Sequence, residues 1–206
     1  MSAYYFSARF VPLDDSNTTR VVRHNTRLWF TRPESPLYRG NCVGAVVGLN
    51  PGSAIGQNYL LGDTIGICDQ TMDRILKTFV FAYQLKNKSI PSGSYVQMLN
   101  LFYLREHISS LALAEREQRS VLVLSHQDPA ELQTYPFLWL AWGCSARNDD
   151  MARFLGNRLE KCCWIGADLG FHFDRPNHAH LVRHPLCRVA GFSMQRNAKM
   201  ISQMLG

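Results

Sequence analysis

The sequence predicts an α/β fold, specifically a single three-layer α/β/α domain with a mostly parallel central sheet. Short apolar, β-branched runs alternate along the chain with stretches whose apolar residues recur at helical spacing. Such alternation is typical of parallel strands covered by helices. The chain has 206 residues, of which 46% are hydrophobic and 18% charged. This composition suits one sizeable core rather than two separate domains.

Three strand–helix repeats follow one another from residue 42. The first strand, CVGAVVGL, is stopped by the turn-forming Asn-Pro-Gly, as expected for a buried parallel strand. The segment 120–125 (SVLVLS) fits either a short strand or the end of a helix. The predicted strands are 42–49, 95–102 and 136–143, and the predicted helices are 69–86, 111–119, 147–160 and 193–205, with Ser193 as the N-cap of the last.

The N-terminal segment has a different composition. Residues 14–40 are rich in Asp, Asn, Thr, Arg and Pro, which is typical of irregular structure. We therefore predict that residues 1–40 form an arm or lead-in and that residues 41–206 form the domain.

The charge of the chain favours a polyanionic partner. The formal net charge is +6, and basic surfaces gain binding energy by releasing the counterions of nucleic acid. A scattered surface charge would give the same total. No leader pattern and no apolar stretch of 18 residues occur, so we expect a cytoplasmic protein without membrane contact. Six scattered cysteines without a C-x-x-C pair indicate neither a zinc ribbon nor a disulfide framework.

Polar residues occur where strands end. Asn50 follows the first strand in GLNPGS, Asn100 lies in MLNLF, and His184 lies in VRHPLCR. Ligands of parallel α/β sheets bind beyond the carboxyl ends of the strands. Each residue also has an ordinary interpretation, as a turn, a core amide or a structural imidazole. Their order along the chain makes them the candidate site.

These motifs resemble the uracil-DNA glycosylase superfamily over residues 42–192. VVGLNPGS is similar to its first motif, in the mismatch-specific form with Asn where the most active uracil enzymes carry Asp. MLNLF is similar to its L-L-N strand, LAWGCSAR to its W-G segment, and RHPLCRVAGF to its closing H-P motif. The combination also resembles an uncharacterised bacterial branch. The resemblance implies a uracil-DNA glycosylase-like fold and excision of a base from DNA.

The resemblance also implies roles for the catalytic residues. Asn50 would position the attacking water, and His184 would donate a hydrogen bond to the leaving base. An amide cannot take up a proton at neutral pH, so we expect slower chemistry than with a carboxylate unless Asp63 or Asp69 in the following loop supplies the base. No cofactor is expected. No obligatory protein partner is expected; a glycosylase of this size could work as a monomer, and the sequence leaves the oligomeric state open.

A second group of residues would bind the base and the DNA. Asn100 would hydrogen-bond the extruded base, and Gly52, where strict uracil enzymes have Tyr, would leave room for a 5-substituent. Leu186 would fill the gap in the helix, although the family usually has Ser there. The base pocket would comprise Gly48, Leu49, Pro51, Gly52, Ser53, Tyr59, Asn100 and Phe102, and the DNA contacts Arg183, Leu186 and Arg188.

Other interpretations remain open at this stage. Tyr59 and Phe102 would serve equally as core residues. The same fold would suit a nucleic-acid-binding protein without catalysis, or an enzyme of free nucleotides or nucleosides. Four histidines crowd one span, at His172, His178, His180 and His184, but no accompanying carboxylate pattern supports a metal. The cysteine spacing does not support an iron–sulfur cluster.

Overall fold

The computed structural model describes residues 3–14, 17–52, 61–106, 108–143, 148–155, 164–166 and 194–205. The strands are β1 (Tyr5–Asp14), β2 (Asn17–Trp29), β3 (Asn41–Gly48), β4 (Gly62–Ile67), β5 (Ser94–Asn100), β6 (Leu138–Leu140) and β7 (Trp164–Gly166). The helices are α1 (Gln70–Leu85), α2 (Ser109–Gln118), α3 (Ser120–Ser125), α4 (Asn148–Leu155) and α5 (Met194–Met204), with a 3₁₀ helix at Pro129–Leu132. The segment SVLVLS is therefore helical. No helix among these residues is long and apolar enough to cross a membrane.

The strands form one mixed sheet, in the order β4-β1-β2-β5-β3-β6-β7. The pairs β4–β1, β1–β2 and β2–β5 are antiparallel, whereas β5–β3, β3–β6 and β6–β7 are parallel. The α/β class is confirmed. The prediction of a mostly parallel sheet is wrong, because half of the described sheet is antiparallel.

The antiparallel half comes largely from the segment that we predicted to be an arm. β1 and β2 pair along most of their length, and Phe6, Phe10 and Leu28 are buried in the core. The boundary at residue 40 is therefore wrong. The charged residues of β2 concealed its strand character, since buried strands seldom carry arginines such as Arg23.

Alternate residues of the central strands belong to two hydrophobic clusters. One contains Val46, Met98 and Trp139 together with residues of α1 and α5. The other contains Val47, Leu99 and Leu140 together with residues of α2, α3 and α4. Because successive side chains of a strand point to opposite faces, the two clusters fill the two sides of the sheet.

The parallel half determines where a site can form. From β3, the chain passes through β4 and α1 to β5 on one side of β3, and then through α2 and α3 to β6 on the other side. Such a reversal opens a crevice at the carboxyl ends of the strands, where ligands of α/β sheets usually bind. Asn50 lies just beyond the end of β3, at this crevice.

Replacing Leu28 by Ala tests the place of the N-terminal strands in the core. The Leu28 side chain is fully buried, so we expect the free energy of unfolding in urea to fall by about 2–5 kcal/mol. Val121→Ala is the control, since Val121 is 85% exposed on α3, and we expect a change within about 0.5 kcal/mol. Equal stability of the two variants would contradict this assignment.

Candidate functional site at the carboxyl ends of β3 and β5

The candidate site begins where β3 and β5 end side by side. Gly48 and Asn100 are register partners in this parallel pair. Pairing continues past both strands, because the backbone N–H of Leu101 donates to Gly48 O over 3.0 Å and that of Phe102 to Leu49 O over 3.3 Å. The turn that carries Asn50 is thus fastened to the chain that follows β5.

The side chain of Asn50 is held in one orientation. Its Nδ2 donates to the backbone oxygen of Glu106 over 2.6 Å and to that of Leu104 over 3.4 Å. An amide nitrogen has two protons, and both are used here. The oxygen Oδ1 is then the group that remains to accept a hydrogen bond from a ligand or a water. A carboxylate at this position would place an oxygen that cannot donate a hydrogen bond against two backbone oxygens.

Asn100 is fully buried beside this turn. In the amide orientation that satisfies its neighbours, the nitrogen donates to Leu99 O over 3.3 Å and to Asn50 O over 3.2 Å. Gly48 makes room for it, since a Cβ at Gly48 would lie 2.9 Å from the end of the Asn100 side chain. Asn100 therefore fastens the Asn50 turn, and its amide has no exposed surface with which to contact a base.

Asp69 is a carboxylate that lies close to the described part of this turn. It is the N-cap of α1, where Oδ1 accepts from the backbone N–H of Met72 over 2.9 Å. The other oxygen, Oδ2, lies 4.0 Å from the position that a Cβ on Gly52 would take. Gly52 has a φ of +63°, which favours glycine. One oxygen of Asp69 thus faces the turn while the other caps the helix.

Asp63 lies elsewhere. It is an exposed residue of the edge strand β4, opposite Arg9 of β1. Three strands, β1, β2 and β5, separate β4 from β3 in the sheet. The prediction of Asp63 as a base beside Asn50 is therefore wrong. The segment that appeared to be a loop forms a strand at the far edge of the sheet, and only its continuation to Asp69 returns to the site.

A buried arginine, which the sequence analysis missed, lies near Asp69. Arg23 of β2 is 1% exposed, and its guanidinium stands 5.6 Å from the centre of the Phe6 ring. Burial lowers the pKa of Arg23 to about 10, a shift that the negative charge of Asp69 opposes and the positive charge of Arg105 reinforces. Arg23 remains a cation at neutral pH. No local signal revealed it, because Val21, Val22 and Arg23 are consecutive and all buried, so no alternation of polar and apolar residues marks the arginine.

A network of polar residues lies next to the backbone of Asn100. The hydroxyl of Tyr103 accepts from the backbone N–H of Asn100 over 3.4 Å. Burial raises the pKa of Tyr103 well above its usual value, and Glu131 and Asp128 add to the effect. Asp128 accepts from the backbone N–H groups of Asn25 (2.5 Å) and Ala130 (2.9 Å). Burial nevertheless raises the pKa of Asp128 to about 6.

The remaining predicted residues divide into two groups. Leu49 and Phe102 belong to the hydrophobic cluster beneath α2, and Pro51 is buried, so the prediction that Phe102 stacks on a base gives way to core packing. The other group lies outside the described residues: Ser53, Tyr59, Arg183, His184, Leu186 and Arg188. The same holds for His172, His178 and His180. No cluster of metal-ligating side chains occurs in the described part of the chain.

Comparison with known proteins gives no relative. No family model, no curated protein and no solved structure matches the chain.

We expect Asn50→Asp to destabilise the protein. The introduced carboxylate cannot donate to the oxygens of Glu106 and Leu104, so the free energy of unfolding at pH 7 should fall by about 2–4 kcal/mol. The loss should shrink as the pH is lowered, because a protonated carboxyl can donate one of the two bonds. Urea unfolding at pH 7 and at pH 5 measures the loss of unfolding free energy at each pH. Asn41→Asp, at an exposed residue of β3, is the control, and equal losses in both variants would contradict the assignment.

The pH dependence of stability should reveal His24 of β2. Burial lowers the pKa of His24 from 6.5 to about 4, so between these values the unfolded chain binds one proton more than the folded chain. The contribution of His24 to stability therefore falls as the pH drops from about 6.5 to about 4. The raised pKa of Asp128 acts in the opposite direction, so the wild-type curve alone does not isolate His24.

The measurement is therefore the difference between the free energies of unfolding of the wild type and of His24→Phe. We expect the free energy of unfolding of the wild type, relative to that of His24→Phe, to fall by about 1–2 kcal/mol between pH 7 and pH 5. Parallel curves for the two proteins would show that His24 titrates normally in the folded state.

Proposed function

We propose that this protein is a DNA glycosylase that hydrolyses the N-glycosidic bond of a flipped pyrimidine-type base. The base would be uracil, a mismatched thymine or a cytosine with a bulky group at C5, and the product an abasic site. The observation that carries the proposal is the fixed amide of Asn50 at the carboxyl end of β3, with its nitrogen bound to two backbone oxygens. Such an enzyme would serve repair or defence against modified viral DNA.

Excision requires a water held beneath the sugar and a donor for the departing base. The Oδ1 atom of Asn50 is suited to accept a hydrogen bond from that water. Asp69 would take up its proton, because its Oδ2 faces Gly52, two residues after Asn50. His184 would donate to the base oxygen that gains negative charge. The reaction so written needs no cofactor.

The architecture and the charge support the same proposal. Two hydrophobic clusters on opposite sides of the sheet are compatible with a three-layer, uracil-DNA glycosylase-like core extended by the antiparallel strands. The connections from β3 lead first to β5 on one side and then to β6 on the other, and this switch favours a ligand site beside Asn50. The net charge of +6 favours DNA as the partner. Because Asn100 is buried and bound to backbone oxygens, base recognition would fall to other residues of the crevice.

The test is alkali-revealed strand cleavage on DNAs that carry uracil, a thymine mismatch, hydroxymethylcytosine or glucosylated hydroxymethylcytosine. We expect abasic sites from one of these substrates. Asp69→Asn keeps an N-cap but removes the proton acceptor, so the rate should fall by about 10²–10⁴-fold. His184→Ala should cost about 10²–10³-fold, and Asn50→Ala should also abolish most activity.

Asp63→Ala is the matched control for Asp69→Asn, because it removes an exposed carboxylate from the far edge of the sheet. Its activity should equal that of the wild type. Tight DNA binding without an abasic product from any substrate would indicate a non-catalytic binding protein. Turnover of a free nucleoside, with DNA binding that depends weakly on salt, would indicate a nucleoside hydrolase.

A further inference from the structure

Arg105 follows β5 and lies beside the anchored side chain of Asn50. The two backbone oxygens that accept from Asn50 Nδ2 belong to Leu104 and Glu106, the residues on either side of Arg105. The backbone N–H of Arg105 donates to Val21 O of β2 over 2.9 Å. The backbone of Arg105 is therefore held from two sides, and its side chain starts from a fixed point at the carboxyl ends of β3 and β5.

The side chain of Arg105 is directed to the side of the sheet that α1 covers. Val22 of β2 and Leu104 form an antiparallel bridge, and both belong to the hydrophobic cluster beneath α2. Val21, the neighbour of Val22, belongs to the cluster on the side of α1. Because successive side chains of a strand point to opposite faces, Arg105 shares this side with Val21. The helix α1, which Asp69 caps, begins here.

Arg105 belongs to a group of three charges. Burial lowers the pKa of Arg23 to about 10; the charge of Asp69 opposes this shift and the charge of Arg105 adds to it. Both groups therefore lie within electrostatic range of Arg23. One oxygen of Asp69 already accepts from the backbone N–H of Met72. Two guanidinium groups and one carboxylate carry a net charge of +1, which favours an anion beside them.

The two arginines differ in their access to a ligand. Arg23 is 1% exposed, so it contributes charge but almost no surface. Arg105 is half-buried. Its Nε atom is buried, so a ligand would be bound by the terminal Nη1 and Nη2 atoms. A guanidinium binds phosphate oxygens through paired N–H groups, and partial burial strengthens the attraction between the charges.

We propose that Arg105 binds a phosphate of the nucleotide whose sugar lies at Asn50. The inference rests on the proposed function, which puts the C1′ atom of that sugar beside the Asn50 side chain. The phosphates that flank a nucleotide are joined to the same sugar, so they lie close to Asn50 as well. Such a contact positions the nucleotide without reading its base. Arg105 would thus favour a nucleotide of DNA over a free nucleoside.

Binding of a DNA duplex that carries one tetrahydrofuran abasic nucleotide tests the assignment without requiring excision. We expect Arg105→Gln to weaken binding about 10-fold. The slope of log Kd against log salt concentration should fall by about 0.9, the value for one lost phosphate contact. Arg39→Gln is the matched control, because Arg39 is exposed and precedes β3, at the end of the strand opposite to Asn50. Equal effects of the two substitutions would overturn the proposal.

Methylphosphonates, which replace a charged phosphate oxygen by a methyl group, locate the contact. At one of the two phosphates that flank the abasic nucleotide, we expect this replacement to weaken wild-type binding about 10-fold. The same replacement should leave binding by Arg105→Gln nearly unchanged, because the two changes remove the same contact. Equal sensitivity of the wild type and Arg105→Gln at both phosphates would refute the assignment.

Arg105→Lys keeps the test valid if Arg105→Gln fails to fold. Lysine retains the charge but not the paired N–H groups. We therefore expect the wild-type salt slope, a lower affinity and a smaller effect of the methylphosphonate than in the wild type. A methylphosphonate effect equal to that of the wild type would contradict the contact.

The excision assay separates this inference from the proposed function. If abasic sites form, but the wild type and Arg105→Gln respond alike to methylphosphonates, the assignment of Arg105 fails and the glycosylase proposal stands. If Arg105 is coupled to one phosphate, but no base is excised from any substrate, Arg105 binds DNA and the glycosylase proposal fails.

Discussion

The candidate site depends on the parallel pairing of β3 with β5. This pairing sets Gly48 opposite Asn100, and the absence of a side chain at Gly48 lets the Asn100 amide reach the backbone of Asn50. Asn50 in turn binds the backbone at Leu104 and Glu106. Two asparagines therefore join the ends of two strands.

The choice of Asn rather than Asp at position 50 follows from the same junction. An amide satisfies two backbone oxygens and keeps one acceptor, whereas a carboxylate would have four lone-pair sites and no proton to donate. The fold thus assigns anchoring to Asn50, and the proposed reaction would need a proton acceptor from elsewhere. Asp69 would supply it in that proposal, since one of its oxygens caps α1 and the other faces Gly52.

The sequence predicted the elements that follow simple periodicity. The apolar run of β3, the helical spacing of α1 and the strand at β5 all appear where their patterns indicated. Prediction from the sequence failed where tertiary contacts override the preferences that composition indicates. Arg23 is buried in a strand where the charge of Asp69 and the Phe6 ring favour its cationic form, and no local pattern announces those neighbours. Asp63 and Asp69 seemed equivalent in sequence, yet only strand pairing, a non-local property, separates them.

The mixed sheet has a consequence for how the chain acquires its structure during synthesis. β2 pairs with β5 through contacts such as Gln97 with Thr26, which are 71 positions apart. Until β5 leaves the ribosome, the β1–β2 hairpin carries an open edge on the side that β5 will cover, and open edges invite association between chains. Contacts so distant in sequence also slow folding. The N-terminal hairpin therefore needs protection from such association while translation continues.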